Sequence, residues 1–295
     1  MHYETEYISD LTELIKYLME LRENDFWSFR GQRSDSWSLG VGHKLLKGGN
    51  YEENLYHFRK RCMAFRLPDM PPMEYHWDWL FYGQHFGLRT RLLDWTSNPL
   101  VAIYFAVENI LCKVVNDSTK KKLHYPTVWA LKVDGKTHFR SPDVLGDPRH
   151  ITEWLMINPP PVTDRLAAQS GKFSYHPSDD HVSLDQCPRR PSERLVKVII
   201  KHSQDSKEDP DITCENIRKF LGIMNIHHAS LFSDPQGVAE FINHEWPYIA
   251  KEDYLDGPDK IMREIKTCEN EIEELNNKIN ALNARLKVRS SRETL

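Results

Sequence analysis

Residues 82–99, YGQHFGLRTRLLDWTSNP, lead directly into the apolar run LVAIYFA at 100–106. Within the first eighteen residues stand an imidazole (His85), two guanidiniums (Arg89, Arg91), a carboxylate (Asp94) and three aliphatic hydroxyls (Thr90, Thr96, Ser97). Pro99 suits the first position of a helix, and the run behind it has the composition of a helix buried all round. The Leu-Leu-Asp-Trp-Thr segment therefore reads as a polar turn at the mouth of a buried helix. Backbone N–H groups of this stretch, with the hydroxyls of Thr96 and Ser97 beside Asp94, could hold a phosphate or a ribose there. Capping of that helix by Asp94 or Thr96 is the plainer role for the same residues, and the two roles are compatible.

Toward the N-terminus, FWSFRGQ (26–32) suits a strand ending at Gly31, with Arg30 and Gln32 at its mouth. An arginine beside a glycine can present a bidentate cation to a phosphate while the backbone approaches closely. The structural alternative is an Arg30 paired with a carboxylate. Ser9 to Leu21 is expected to be an amphipathic helix capped by Ser9, and a second helix is expected from Tyr51 to Arg66. The aromatic run His76 to Tyr82 reads most simply as a packed helix beneath the cluster.

Toward the C-terminus, VNDSTKKK (115–122) reads as a loop, TVWALKV (127–133) as a strand and RLVKVIIK (194–201) as a core strand. The forty residues after the first of these strands, rich in Pro, Asp and His, are expected to be irregular with short elements. Asp211–Gly222 and Gln236–Trp246 read as closing helices. After Asp256-Gly257-Pro258 the pattern changes. Ile265, Ile272, Ile279 and Leu286 take heptad position a, and Ile261, Cys268, Leu275 and Leu282 take position d, which favours a parallel two-stranded coil. The expected organisation is a helix in 1–25 packed on a core, a main domain over 26–250, a coiled coil over 258–288 and a flexible tail over 289–295.

The 295 residues, 40% hydrophobic and 28% charged, describe a folded chain with enough apolar surface for a core. A formal net charge of -4 supplies no global field to attract nucleic acid, so any polyanion site must be local. The five cysteines are scattered without a C-x-x-C pair, which argues against a disulfide framework and a zinc site. No signal peptide or membrane span is read, and a cytoplasmic location is expected.

FRGQ, GQHFGLRTRLLDWTSNPLVAIYFA, RLAAQSGKFSYHP and ASLFSDPQGVAEFI together resemble the FRG domain family, over about Phe26 to Ile242. Arg89 stands where many members of that family have proline. In motif order the chain also looks like an ADP-ribosyltransferase. The fold class the resemblance implies is α+β, with an ADP-ribosyltransferase-like mixed core, flanking helices and the C-terminal coiled coil.

By that resemblance Arg30 and Gly31 match the NAD-gripping strand, Thr96 and Ser97 with Ala102 to Ala106 match the ribose-supporting segment, and Gln169 to Phe173 match the late strand. The chain departs where that superfamily carries its catalytic glutamate, since it has Gly171. Asp94 is the acid available to stabilise an oxocarbenium-like state. The catalytic candidates are Arg30, His85, Arg91, Asp94 and Gln169, and the substrate-binding candidates are Gly31, Gln32, Gln84, Thr90, Thr96 and Ser97.

The resemblance thus implies NAD as substrate without a metal, and transfer of ADP-ribose to an unknown macromolecular acceptor or hydrolysis of NAD. The setting it implies is a bacterial toxin or anti-phage defence protein. A nucleotide-sensing module that oligomerises through residues 261–286, with itself or a partner, is the first alternative. A nucleic-acid-acting protein using Arg89, Arg91 and the Trp-rich run is the second and less favoured one; no membrane partner is expected. Arg189, Arg190, Glu193 and Arg194 read as a solvated strand edge, and His227-His228 lacks a third ligand at metal-binding spacing.

Overall fold

The FRGQ segment is a strand because Trp27, Phe29 and Gly31 alternate with Ser28, Arg30 and Gln32, and the two sets face different layers. In the computed structural model the described residues are 2–23, 26–41, 51–67, 70–108, 125–133, 139–160, 164–177, 183–200 and 210–245. Their strands are β1 (Glu4–Ile8), β2 (Trp27–Gln32), β3 (Leu92–Thr96), β4 (Thr127–Lys132), β5 (Phe139–Arg140), β6 (Leu155–Ile157), β7 (Gly171–Tyr175) and β8 (Arg194–Ile200). The helices are α1 (Leu11–Glu23), α2 (Tyr51–Phe65), α3 (His76–His85), α4 (Pro99–Val107), α5 (Asp164–Ala168), α6 (Pro210–Ile223), α7 (His228–Leu231) and α8 (Pro235–His244).

The strands form one mixed sheet in the order β1-β8-β4-β2-β3-β7-β6-β5. Its interior is antiparallel, while β1 runs parallel to β8 and β5 parallel to β6 at the two edges. Along β4, Val128 and Ala130 enter the layer formed with α1, α4 and α6, whereas Trp129 and Leu131 enter a second layer with Leu39, Trp95 and Leu195. Every one of these side chains is at most 3% exposed. Full burial of such a side chain contributes about 1.5–3 kcal/mol, so the two layers account for the sheet's central position. Beside α4 on its face of the sheet, α2 and α3 cover Leu92, Phe173 and Tyr175 with Tyr51, Trp77 and Phe81.

Helix α4 lies directly on β2. A β-carbon at Gly31 would stand 2.0 Å from the Ala102 carbonyl oxygen and 2.5 Å from the Ala106 nitrogen. The glycine is thus required by helix packing, in place of the close ligand approach expected from its sequence. Asn98 caps α4 by accepting from the Leu100 N–H at 3.0 Å, so neither Asp94 nor Thr96 has that role. Likewise Asp10, and not Ser9, accepts from Glu13 at the start of α1.

The Leu-Leu-Asp-Trp-Thr segment is strand β3 and not a turn. Its partner β7 pairs with all five of its residues, whereas β2 meets it only at Phe29 with Thr96. Beyond that single pair β2 and β3 part, and the space between them is where the site forms. Residues Met1–Phe241 constitute one compact unit and Ile242–Leu295 a second. The coiled coil expected over 261–286, and with it the tail, lies outside the described residues.

Candidate functional site

Where the two central strands separate, the carbonyl of Asp94 is taken up by a side chain in place of a ladder partner. Arg30 Nη1 donates to it at 2.7 Å and stands 3.7 Å from the Asp94 carboxylate. Asp94 remains 57% exposed while Arg30 is 24% exposed, so the acid keeps an open flank that its ion pair does not fill. Burial pushes the Arg30 guanidinium below the usual arginine range, and the Asp94 charge counters the shift. Its Nε has no hydrogen-bond partner among the described residues.

The carboxylate is held from its other side. Gln84, near the end of α3, donates from Nε2 to Asp94 Oδ2 at 2.9 Å. Thr90 donates its hydroxyl to Gln84 Oε1 at 2.6 Å, and the same hydroxyl accepts from the Leu92 N–H at 3.0 Å. A fully buried threonine thus fixes which amide atom faces the acid, because with the Gln84 oxygen occupied by a donor only the NH2 group is left for Asp94.

A cleft of about 310 Å³ opens over this arrangement, within the range of small-molecule sites. Arg30, Gly31, Gln84, Asp94, Thr96 and Gln169 line it, with Trp37 and Phe105 as aromatic walls. A smaller chamber of about 60 Å³, lined by Phe81, Gln84, His85, Asp94, Arg165, Leu166, Gln169 and Phe173, adjoins it. Asp94, Gln84, Arg165 and Gln169 border both spaces.

Arg165 was not singled out by its sequence position. Its guanidinium lies 4.1 Å from the Phe232 ring centroid, and among the described residues it makes no hydrogen bond or ion pair. Burial lowers its pKa, and the charges of Asp94, Asp234 and Glu108 oppose that change. It belongs to the RLAAQ run four residues before Gln169, where one turn of α5 brings both to the same cleft. That spacing was the available signal.

Other candidates are committed to the scaffold. Gln32 accepts from the Trp129 indole at 2.9 Å and donates to the Ser38 carbonyl at 3.2 Å. Thr96 donates to the Gln169 carbonyl at 2.7 Å and accepts from the Asn98 N–H at 3.0 Å. Ser97 bonds Ser170 through its backbone N–H at 3.1 Å. Gln169 borders the cleft while donating from Nε2 to the Leu231 carbonyl at 3.1 Å. Arg91 stands away from both spaces, with its guanidinium 4.4 Å from the Tyr51 ring centroid. Gly171 pairs with Thr96, and a β-carbon on it would stand 2.4 Å from Leu166 Cδ1.

The basic edge is bound up in ion pairs, Arg194 with Glu4 and Arg190 with Glu153, each at 2.6 Å. His227 caps α7, and His228 lies 3.4 Å from Glu108. No helix among the described residues is long and apolar enough to cross a membrane.

Residues 25–113 match the FRG domain. That likeness covers just under a third of the chain. The match includes β2, Gln84, His85, Thr90 and β3, and therefore both partners of the Arg30–Asp94 pair. The matched segment ends before Arg165 and Gln169, so part of the cleft lining comes from sequence beyond it. No curated protein and no solved structure gives a significant match.

Proposed function

We propose that the cleft binds NAD and that the protein cleaves the bond between nicotinamide and ribose, passing ADP-ribose to an acceptor or to water. One observation carries this reading: a partly exposed carboxylate, Asp94, lines a cleft of small-molecule size together with guanidiniums of two separate elements, Arg30 on β2 and Arg165 on α5. Arg30 and Arg165 match a pyrophosphate, and Trp37 and Phe105 offer faces for a planar ring. As the glycosidic bond lengthens, positive charge develops on the ribose, and Asp94 can stabilise it without relocating, because Gln84 and Arg30 already hold it. The nicotinamide leaves with the bonding electron pair as a neutral molecule.

Incubation of the purified protein with NAD, with nicotinamide release measured for wild type, Arg30→Ala and Asp94→Ala, tests the assignment. Loss of release in both variants is expected; equal turnover in all three proteins sinks it. A toxin or anti-phage effector is the role this chemistry fits, and pairing through residues 261–286 is the accompanying proposal for assembly.

Gly171 favours a second reading, a module that binds a nucleotide without turning it over. No carboxylate stands where the late strand of the resembled superfamily carries its glutamate, and Leu166 fills the space a side chain there would need. Calorimetric binding of NAD with no nicotinamide release would select this reading over the first.

A further inference from the structure

The small chamber beside the cleft shares Gln84, Asp94, Arg165 and Gln169 with it, and the rest of its lining differs in kind from that of the cleft. It contributes His85, Phe81, Leu166 and Phe173, none of which borders the larger space. Phe81 and Phe173 stack there, with centroids 5.2 Å apart and planes at 15°. With these walls apolar and Gln84 and Gln169 neutral amides, His85 is the lining side chain able to take up a proton near neutral pH. Asp94 borders both spaces, so a group in the chamber lies next to the carboxylate that faces the cleft.

We infer that the chamber is the acceptor subsite of the transfer proposed above, that it admits an oxygen nucleophile, and that His85 is the general base that deprotonates it. The inference rests on the NAD-cleaving reading. Size suits this class of acceptor: about 60 Å³ holds a few waters or a hydroxyl-bearing group.

The histidine is suited to the task. Its ring packs edge-on against Phe86, at 4.7 Å between centroids, and among the described residues its nitrogens make no hydrogen bond. The charged groups facing it are Arg165 on α5, Asp234 just before α8 and, in the same chamber, Asp94 on β3. Burial, then Arg165, push its pKa below the usual imidazole range against the opposing pull of Asp234, which leaves the ring neutral and able to accept a proton at pH 7. In the step, the nucleophile's oxygen forms a bond to the ribose C1′ as the bond from C1′ to the nicotinamide nitrogen breaks. The proton of the O–H group moves to a ring nitrogen of His85 and then to solvent, and nicotinamide departs neutral.

The test compares wild type, His85→Gln and Leu166→Trp, each checked for an unchanged melting temperature, for NAD affinity by calorimetry and for nicotinamide release from pH 5 to 9. His85→Gln is expected to bind NAD within about twofold of wild type and to release nicotinamide about 100-fold more slowly, with the acid limb of the rate profile removed. Leu166→Trp, which fills the chamber, should reduce release with NAD affinity retained. Methanol added to wild type distinguishes the sources of oxygen. Methyl ADP-ribose forming in proportion to methanol shows a chamber open to hydroxyl groups, and ADP-ribose alone shows one restricted to water. Wild-type rates and an unchanged pH profile in His85→Gln overturn the base assignment while leaving the NAD reading intact. Absence of nicotinamide release from wild type overturns that reading and the acceptor subsite with it.

Discussion

Gln84 and Asp94 face each other between the end of α3 and the middle of β3, the glutamine amide donating to Asp94 Oδ2 at 2.9 Å. The same carboxylate oxygen is the one 3.7 Å from Arg30. Both restraints act on Oδ2, and Oδ1 has no hydrogen bond among the described residues, so one oxygen is anchored and the other is left for a ligand.

Replacing the amide tests the positioning of the acid. Gln84→Leu keeps the side chain's bulk but releases Asp94, and nicotinamide release should fall about 10- to 100-fold, mostly in kcat; because it also takes the acceptor from the buried Thr90 hydroxyl, stability should fall by about 1–3 kcal/mol. Thr90→Val strikes the same relay from its buried end. Because the Thr90 hydroxyl bonds both Gln84 and the Leu92 N–H, that variant should also lose about 1–2 kcal/mol in a urea unfolding curve. Unaltered kinetics in both variants would dismiss the relay.

Gly31→Ala should destabilise by about 1–3 kcal/mol or more, because the atoms a methyl group meets belong to the α4 backbone and cannot swing aside. The midpoint of chemical denaturation measures it. A midpoint equal to that of wild type would mean that α4 can lift from β2 at no cost.

Asp147 gives the stability a dependence on pH remote from the cleft. Its carboxylate accepts from the Arg149 side chain and backbone N–H and lies 3.7 Å from His76, which holds its pKa well below the usual carboxylate range. The folded state therefore binds this proton less readily than the unfolded chain. Its contribution is complete above the ordinary aspartate value near pH 4 and is lost as pH falls further. The turn it holds also accepts from the Tyr175 hydroxyl at 2.9 Å through Pro148, so loosening it disturbs the layer under α3. Urea midpoints at pH 3 and pH 7 should converge in Asp147→Asn relative to wild type; an identical acid slope in the two proteins would exclude Asp147 as a source of the dependence.

Elements whose burial follows a local period were legible in the sequence. Helix α4 showed itself through Pro99 and an unbroken apolar run, and β2, β4 and β8 through aromatic and β-branched residues. Strand β3 was not, because Asp94 and Thr96 interrupt its apolar residues and its extended form is imposed by pairing with β7, nearly eighty positions away. Strand β1, ETEYI, has two glutamates in five residues and exists because β8 offers it an edge. The meeting of Arg30 with Asp94 could be anticipated only as a juxtaposition of motifs. The parting of β2 from β3 that makes room for it is a property of the assembled sheet.

Arg165 lies at the far end of the same limit, since its four-residue spacing to Gln169 is all that local sequence offers to distinguish it from a solvated arginine on a short helix. In the fold it borders both spaces, supported by the Phe232 ring and without a carboxylate within salt-bridge distance among the described residues. A guanidinium placed this way has its charge available for a phosphate, whereas Arg30 already divides its charge with Asp94. Arg165→Gln should therefore weaken NAD binding about 10- to 100-fold, the range of a lost charge-assisted hydrogen bond, and should leave the urea midpoint nearly unchanged. The dependence of affinity on salt should also become shallower, because one cation no longer contributes to it. Calorimetry at two salt concentrations decides the matter. If the variant binds with the affinity and salt response of wild type, the pyrophosphate is held elsewhere, and Arg165 serves only to cover Phe232.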